Sequence, residues 1–384
     1  MTRSSPTPTR QPGRPGATLR SRSRENAPGN VPTPQPAVTI IIKALNEERH
    51  IAVAIESALA ALSGIKGEVI VADSASTDRT VEIAERYPVK IVRLSRIEER
   101  CCGAGVQLGY QYSLGRYICL IDGDMRLYDG FLSAAIRILE DNPEIAGVGG
   151  MIVERELESL EYSRRAKTED INRRPGQVTH LACGGVYRRE AIATAGYFGD
   201  RNLHSWEELD LGVRLAATGW KLVRIDQAAI DHHGHTDNAF RLLLRRWSNR
   251  YLFGTGEIMR AAIGQGNLRR LFWRIRKELF GLGVVHAWWL CLAGIPFFVG
   301  AAPQAALAAA AVGLSPFAVM SARWRSIRLG TYSVVSWNVY ALAMWPGLLR
   351  RRRDPTGWIE SVVVCDRAAK TSPVAEHLIS ETHH

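Results

Sequence analysis

"RYICLIDGDMRL", residues 116–127, reads as a buried strand that ends in two aspartates flanking one glycine. A short apolar run bounded by turn residues suits a strand covered on both faces. Asp122 and Asp124 repel each other unless a cation, a partner or water stands between them. Three earlier runs share the pattern: "AVTIII" (37–42), "EVIVAD" (68–73) and "VKIVRL" (89–94). Helical segments separate them. "ERHIAVAIESALAAL" (48–62) sets Ile51, Ile55, Leu59 and Leu62 on one face, and "DRTVEIAERY" (78–87) opens on Asp78 as an N-cap. Strand alternating with helix predicts an α/β fold whose mainly parallel sheet gathers ligands at the carboxyl ends of its strands. Those ends carry Asn46 and Glu47, then Asp73, then Asp122 and Asp124.

Familiar phosphate devices are missing. No G-x-G-x-x-G follows the first strand, where the chain has "KALNEERH", and there is no G-x-x-x-x-G-K-[ST] loop. "GAGVQLG" (103–109) is glycine-rich but does not directly follow a strand. Two carboxylates one residue apart at a strand end can grip a hard divalent cation, and the glycine between them lets backbone approach a ligand; a solvated turn is the plainer alternative. A second acidic group lies in "SWEELDLGVRLAATGW" (205–220). There Leu209, Val213, Leu215 and Ala216 suit burial and leave Glu207 and Glu208 in the first turn, where acids also serve as dipole partners. "IDHHGHTD" (230–237) follows the strand-like "KLVRID" and sets histidines beside the same edge.

The chain has 384 residues and a net charge of +11. Residues 241–353 hold 17 Lys and Arg against only Glu257 and Glu278, an excess larger than the charge of the whole chain, so the remainder is mildly acidic. Basic residues mixed with tryptophans and apolar runs at one end suit an anionic membrane face better than a nucleic-acid groove. The six cysteines show no metal-type spacing and read as reduced thiols. Residues 1–36, rich in Pro and Ser and lacking an apolar stretch, read as a disordered basic arm rather than a secretory signal.

"LFGLGVVHAWWLCLAGIPFFVGAA" (279–302) is long enough for a bilayer core of roughly 30 Å, and alanine-rich 303–322 follows as the return helix of a hairpin. Its basic flanks place both ends in the cytoplasm. "TYSVVSWNVYALAMWPGLL" (331–349) precedes "RRRR" (350–353). A third span would strand those arginines on the far side, so an interfacial segment is expected.

Taken in order, "VTIIIKALNEE", "VIVADSASTDRT", "YICLIDGD", "CGGVYRRE", "EELDLGVRLAATGW" and "RRW" resemble the motifs of an inverting, family 2 glycosyltransferase with the GT-A fold, over about half of the chain. The resemblance implies a nucleotide-diphospho-sugar transferase domain over 37–240, followed by a basic amphipathic interface segment over 241–278, a transmembrane hairpin over 279–322, an interfacial or third membrane helix over 331–349 and a C-terminal tail over 354–384. It implies that Asp73 holds the nucleotide base and that Asn46 and Glu47 border the nucleoside pocket. Asp124 is then the direct ligand of Mg²⁺ or Mn²⁺, with Asp122 nearer the ribose and His232 completing the metal or phosphate shell. Glu208 stands at the position of the catalytic base with Glu207 as its neighbour, although the family commonly has Asp there. Ser74 stands where a second Asp is frequent. Arg246 and Trp247 resemble the tail of a Q-x-x-R-W acceptor motif, with Leu243 in place of the glutamine, and Gly184 and Gly185 of "CGGVYRRE" are the other acceptor-site candidates.

The implied activity is transfer of a sugar, by family habit from a UDP-hexose, to a lipid-linked or glycan acceptor at the cytoplasmic membrane in the assembly of exopolysaccharide or another surface glycan. The catalytic domain would face the cytoplasm, with no nucleic-acid partner. A polyprenyl-phosphate glycosyltransferase is the nearest enzymatic alternative. A noncatalytic membrane scaffold retaining the fold is the alternative of a different class.

Overall fold

Strand β1, Val38–Ala44, is buried at every position except Lys43. Ile40 and Ile42 face one layer with Ile51, Ile55 and Ala58 of helix α1 (Ile51–Ala61), whereas Ile41 joins the opposite layer. Both faces of the strand are covered, which is why its sequence runs almost unbroken in apolar residues. Strand β2 (Gly67–Asp73), helix α2 (Thr80–Ala84) and strand β3 (Lys90–Leu94) follow. The N-cap of α2 is Arg79 rather than the expected Asp78, which sits one residue earlier and accepts the Thr80 N–H at 3.0 Å. Helix α3 (Cys102–Tyr112) and strand β4 (Tyr117–Asp122) complete the nucleus. The pairs β1–β2, β1–β4 and β2–β3 are all parallel.

The structure is a computed structural model that describes residues 37–155, 171–233, 238–299 and 302–368. The arm expected over 1–36 lies outside these residues. Beyond β4 come strand β5 (Met125–Leu127), helix α4 (Phe131–Asp141), strands β6 (Ile145–Glu154), β7 (Gly176–Val178) and β8 (Gly185–Arg188), helices α5 (Arg189–Thr194) and α6 (Glu207–Ala217), and strand β9 (Lys221–His232). Among the described residues ten strands form one sheet in the order β10-β3-β2-β1-β4-β8-β6-β9-β5, where β10 is Ser361–Asp366 and β7 pairs with β9. The expected mainly parallel sheet is therefore corrected to a mixed one. Its parallel centre is flanked by antiparallel pairs, β10 with β3 on one side and β8 with β4 on the other. The first part of the stretch expected as a C-terminal tail is thus an edge strand.

The C-terminal helices are α7 (Ala239–Ser248), α8 (Gly254–Ala262), α9 (Leu268–Arg274), α10 (Arg276–Phe298), α11 (Ala302–Trp324) and α12 (Ile327–Leu349). Helices α10 and α11 are long and apolar enough to cross a membrane. Helix α12 instead packs lengthwise on the elements before it. Near its start Leu329 and Tyr332 meet Ala239 of α7, and near its end Ala343 meets Leu243 and Leu252. A Cβ at Gly256 of α8 would lie 1.9 Å from the Met344 carbonyl oxygen, and one at Gly347 would lie 2.2 Å from that of Phe253, so glycine allows the two helices to touch backbone to backbone.

The glycines of "GAGVQLG" serve packing. A Cβ at Gly103 would stand 2.0 Å from the Asp200 carbonyl oxygen, and one at Gly109 would stand 2.3 Å from Ile41, so α3 lies flush on the sheet and on the loop before α6. At Gly105 the nearest atom is the Ser74 hydroxyl at 3.3 Å. Gly103→Ala should lower stability by about 1–3 kcal/mol through overpacking, whereas Gly105→Ala should change it by less than ~1 kcal/mol because helix propensity offsets the tighter contact. Thermal unfolding of both variants at one scan rate checks the contrast, and equal midpoints would show that the close approach is not a packing constraint.

Candidate active site

Parallel register places the ends of three strands side by side: Lys43 opposite Asp122, and Ala44 opposite Asp73. The loops after β1 and β2 are stitched together. Asn46, at φ 58°, accepts the Thr77 N–H at 2.8 Å and donates its own N–H to Ser76 at 2.9 Å, and the Glu47 N–H bonds Thr80 at 2.7 Å. Asp73 is fully buried at this seam. Both its oxygens accept the Ser76 N–H, at 3.2 and 3.1 Å, and Arg93 Nε lies 3.3 Å away. Burial nevertheless pushes the Asp73 carboxyl above its ordinary range, against those bonds.

The Asp-Gly-Asp turn sits where the sheet changes direction. Strand β5 pairs antiparallel with β9, so Met125 faces His232, while β6 and β9 run parallel with Glu154 beside His232. His232 therefore bridges two acids, with Nε2 3.6 Å from Asp124 and Nδ1 2.6 Å from Glu154. Asp124 Oδ1 is buried and has no hydrogen-bond partner among the described residues. Burial and then the Asp122 charge raise the Asp124 carboxyl to about 6, with His232 opposing. Glu47 is raised to about 8 by burial and by Asp124, Asp122 and Asp78. A Cβ at Gly123 would approach the Glu47 side chain to 2.8 Å, so the glycine lets this third acid lie against the turn. His50 and His233 stack beside them with centroids 5.1 Å apart, and residues 234–237 lie outside the described residues.

Helix α6 brings its acids to the same edge. Glu207 is buried and bonds Lys43 Nζ at 2.9 Å, and Lys43 also reaches Asp122 at 3.3 Å. Burial alone would lower the Lys43 ammonium, but Asp122 and Glu207 outweigh it and its pKa lies well above the usual lysine value. Glu208 is raised to about 8, first by burial and then by Glu207, with Lys43 opposing. One acid is thus locked in an ion pair while its neighbour is held near the point of proton exchange.

Lys43, Glu154, Arg93 and Cys102 escaped the reading of the sequence. A lysine inside "VTIIIKA" was the available signal, because a charge in a buried run needs a partner. Burial and the Glu207 charge push the Cys102 thiol well above its usual range.

The acceptor candidates lie at the start of β8 and on α7. Cys183, Gly184 and Gly185 have φ of 60, 85 and 154°, and a Cβ at Gly184 would lie 2.0 Å from the Leu120 carbonyl oxygen. These glycines let β8 cross close over the end of β4. Arg246 lies 4.9 Å from the Tyr251 ring, and Trp247 packs edge-on against Phe253. Burial pushes the Tyr251 hydroxyl up, with Arg246 opposing and Cys102 and Glu207 adding to the rise, so this side group stands within electrostatic reach of Glu207.

The loop before α6 is tied to the end of α12. His204 bonds Glu257 at 2.9 Å, Arg350 meets Glu257 at 3.0 Å, Arg352 meets Asp200 at 2.6 Å, and Arg353 pairs with Glu99. The side chains of Arg350 and Arg352 therefore serve the segment that presents Glu207 and Glu208, and Arg353 joins them through its backbone bonds to Asn202.

Residues 39–195 match the family profile described as "Glycosyl transferase family 2". An uncharacterized glycosyltransferase of Mycobacterium tuberculosis is 30% identical over 201 residues, which cover 50% of this chain and 84% of that protein. A "Probable glucomannan 4-beta-mannosyltransferase 11" of Arabidopsis thaliana is 28% identical over 143 residues, 34% of this chain and 32% of that protein, so the chain spans about a third of the length of this plant relative. A mannosyltransferase from Pyrobaculum calidifontis, solved with GDP-Man and Mn²⁺, has a similar fold, with a TM-score of 0.53 at 18% identity over 81% of this chain and 88% of that one.

Lys43→Met leaves a buried Glu207 without its cation and should cost about 3 kcal/mol of stability. The pair Lys43→Met/Glu207→Gln should recover at least half of that loss in a double-mutant cycle of thermal unfolding; additive losses would deny the ion pair its role.

Proposed function

The chain belongs to glycosyltransferase family 2 and is a GT-A transferase, and on that premise we propose that it moves a hexose from a nucleotide-diphosphate donor to a saccharide or lipid-linked acceptor held at the membrane, with inversion. The observation that carries the reading is the joint placement of Asp122, Asp124, Glu207 and Glu208 at one sheet edge, with a half-buried lysine bonded to one acid of each pair. In this reading Asp73, Asn46 and Glu47 border the nucleoside, Asp122 lies toward the ribose, and Gly184, Gly185, Arg246 and Trp247 border the acceptor. The names of the relatives favour mannosyl transfer as much as the UDP-hexose expected by family habit, so a GDP-linked donor is tested beside UDP and dTDP.

A divalent cation fits the donor set. Among the described residues no three His, Cys or acidic side chains make a complete cage. Asp124 nonetheless presents a buried oxygen without a partner, and His232 supplies a nitrogen beside it. A diphosphate would complete such a shell. When bound, Mg²⁺ or Mn²⁺ supplies positive charge against the charge that develops on the leaving diphosphate. Glu154 orients His232 through Nδ1. Lys43 holds Glu207 in place, which leaves Glu208, once ionised, to take the proton of the acceptor hydroxyl as that oxygen attacks the anomeric carbon. One in-line displacement then turns an α-linked donor into a β-linked product.

The two membrane-length helices and the basic segment over 241–278 support an acceptor held at the cytoplasmic leaflet. The lengthwise packing of α12 on α7 and α8 favours an interfacial helix over a third span. Transfer to a polyprenyl phosphate is the second reading.

Calorimetric titration of UDP, GDP and dTDP with and without Mn²⁺ should show metal-dependent binding of one nucleotide that Asp124→Asn abolishes; no binding by folded protein would sink the donor reading. Glu208→Gln should retain that binding and lose at least ~100-fold in kcat, the range of a missing general base. Because the Glu208 carboxyl is raised to about 8, its basic form is scarce below that pH. The kcat/KM of the wild type should therefore rise with pH through about 8 and level off above it. In Lys43→Met the same limb should move upward, and an unmoved limb would assign the proton to another group.

A further inference from the structure

We propose a second anion site, for a phosphate group, in the cleft where the end of α12, helix α8 and the loop before α6 meet. The cleft is shallow and open, with room for about one water at its base, so the phosphate would rest at its mouth against the arginine side chains. Arg260, Arg350, Arg351 and Arg352 line it, with Asn202 and Gly347 between them. Glu257 is the one acid in the wall, and Arg350 already answers it at 3.0 Å. Arg352 spends Nη2 on Asp200, and its Nη1 is buried with no partner among the described residues, a donor whose desolvation is not repaid there. Arg260 and Arg351 meet no acid among the described residues. The cleft therefore carries two uncompensated guanidinium charges and an orphaned buried donor, contributed by α8 and by the segment after α12.

Guanidinium groups bind phosphate oxygens through paired N–H donors, which makes a phosphate monoester or diester the ligand class that fits. The position has a consequence for the transferase. Arg350 and Arg352, two walls of the cleft, also hold His204, Glu257 and Asp200 around the segment that leads into Glu207, so an anion here bears on the arginines that anchor the catalytic edge. The inference stands apart from sugar transfer, because the site is built from residues that take no part in the proposed chemistry.

A phosphate group could reach the cleft from an anionic lipid headgroup or from solution, and titration of the full chain in an uncharged detergent separates the two. The probes are inorganic phosphate, short-chain phosphatidylglycerol and short-chain phosphatidylcholine. Saturable binding of phosphate or phosphatidylglycerol is expected, weakened at least tenfold in Arg260→Gln/Arg351→Gln and unchanged in Arg137→Gln/Arg269→Gln, which removes equal charge elsewhere. Phosphatidylglycerol binding tighter than phosphate and phosphatidylcholine names the headgroup as the source, and phosphate binding as well as the lipid names a soluble anion. The single variant Arg351→Gln, at an exposed side chain, keeps the test open if the pair misfolds. No saturable binding of any probe, or equal weakening in the control pair, overturns the site.

Discussion

Lys43 is one positive charge set among five carboxylates, and the site depends on how it is held. Parallel pairing of β1 with β4 puts it beside Asp122, and packing of α6 against the same edge gives it Glu207. A half-buried cation with two acidic partners is stable, whereas the acids without it would repel one another in a poorly solvated edge. Its reach is short. Glu47 and Asp124, on the far side of the turn, keep raised pKa values, and the excess negative charge there is what a divalent cation or a diphosphate with its counterions would relieve.

The division of labour between Glu207 and Glu208 follows from the same charge. Adjacent residues in the first turn of a helix point in different directions. Glu207 bonds the ammonium, whereas for Glu208 burial and its neighbour both disfavour ionisation, with Lys43 opposing. Two like residues acquire unlike settings from position alone, one in an ion pair and one whose carboxyl is raised to about 8.

The C-terminal third closes around this core rather than trailing from it. Strand β10 adds to the sheet beside β3, and Gln111 and Tyr112 of α3 hold Ile359 and Ser361 in place. The arginines after α12 reach back to Glu99, Asp200 and Glu257. Helix α12 is braced against α10 as well, with Trp289 bonding Asn338 at 2.7 Å and Trp345 bonding His286 at 2.9 Å. The helices of membrane length and the segment that presents Glu207 therefore belong to one mechanical path, through α12 and its terminal arginines.

Local pattern was enough for the parallel centre of the fold. "AVTIII", "EVIVAD", "VKIVRL" and "RYICLID" announce strands by apolar content, and alternation with helices forces crossovers that bring Asn46, Glu47, Asp73, Asp122 and Asp124 to one edge. Spacing in "SWEELDLGVRLAATGW" likewise placed Glu207 and Glu208 on the first turn of a helix. What local pattern could not carry was pairing between distant segments. That β10 would extend the sheet, that "GAGVQLG" would serve close packing, that Glu154 would stand behind His232, and that 350–353 would pair with acids some 90 to 250 residues earlier are matters of which surfaces meet. Residue type and periodicity decide what a segment can form, because they act over a few residues. Which charge finds which partner is decided only when the chain has closed and burial makes an unpaired group costly.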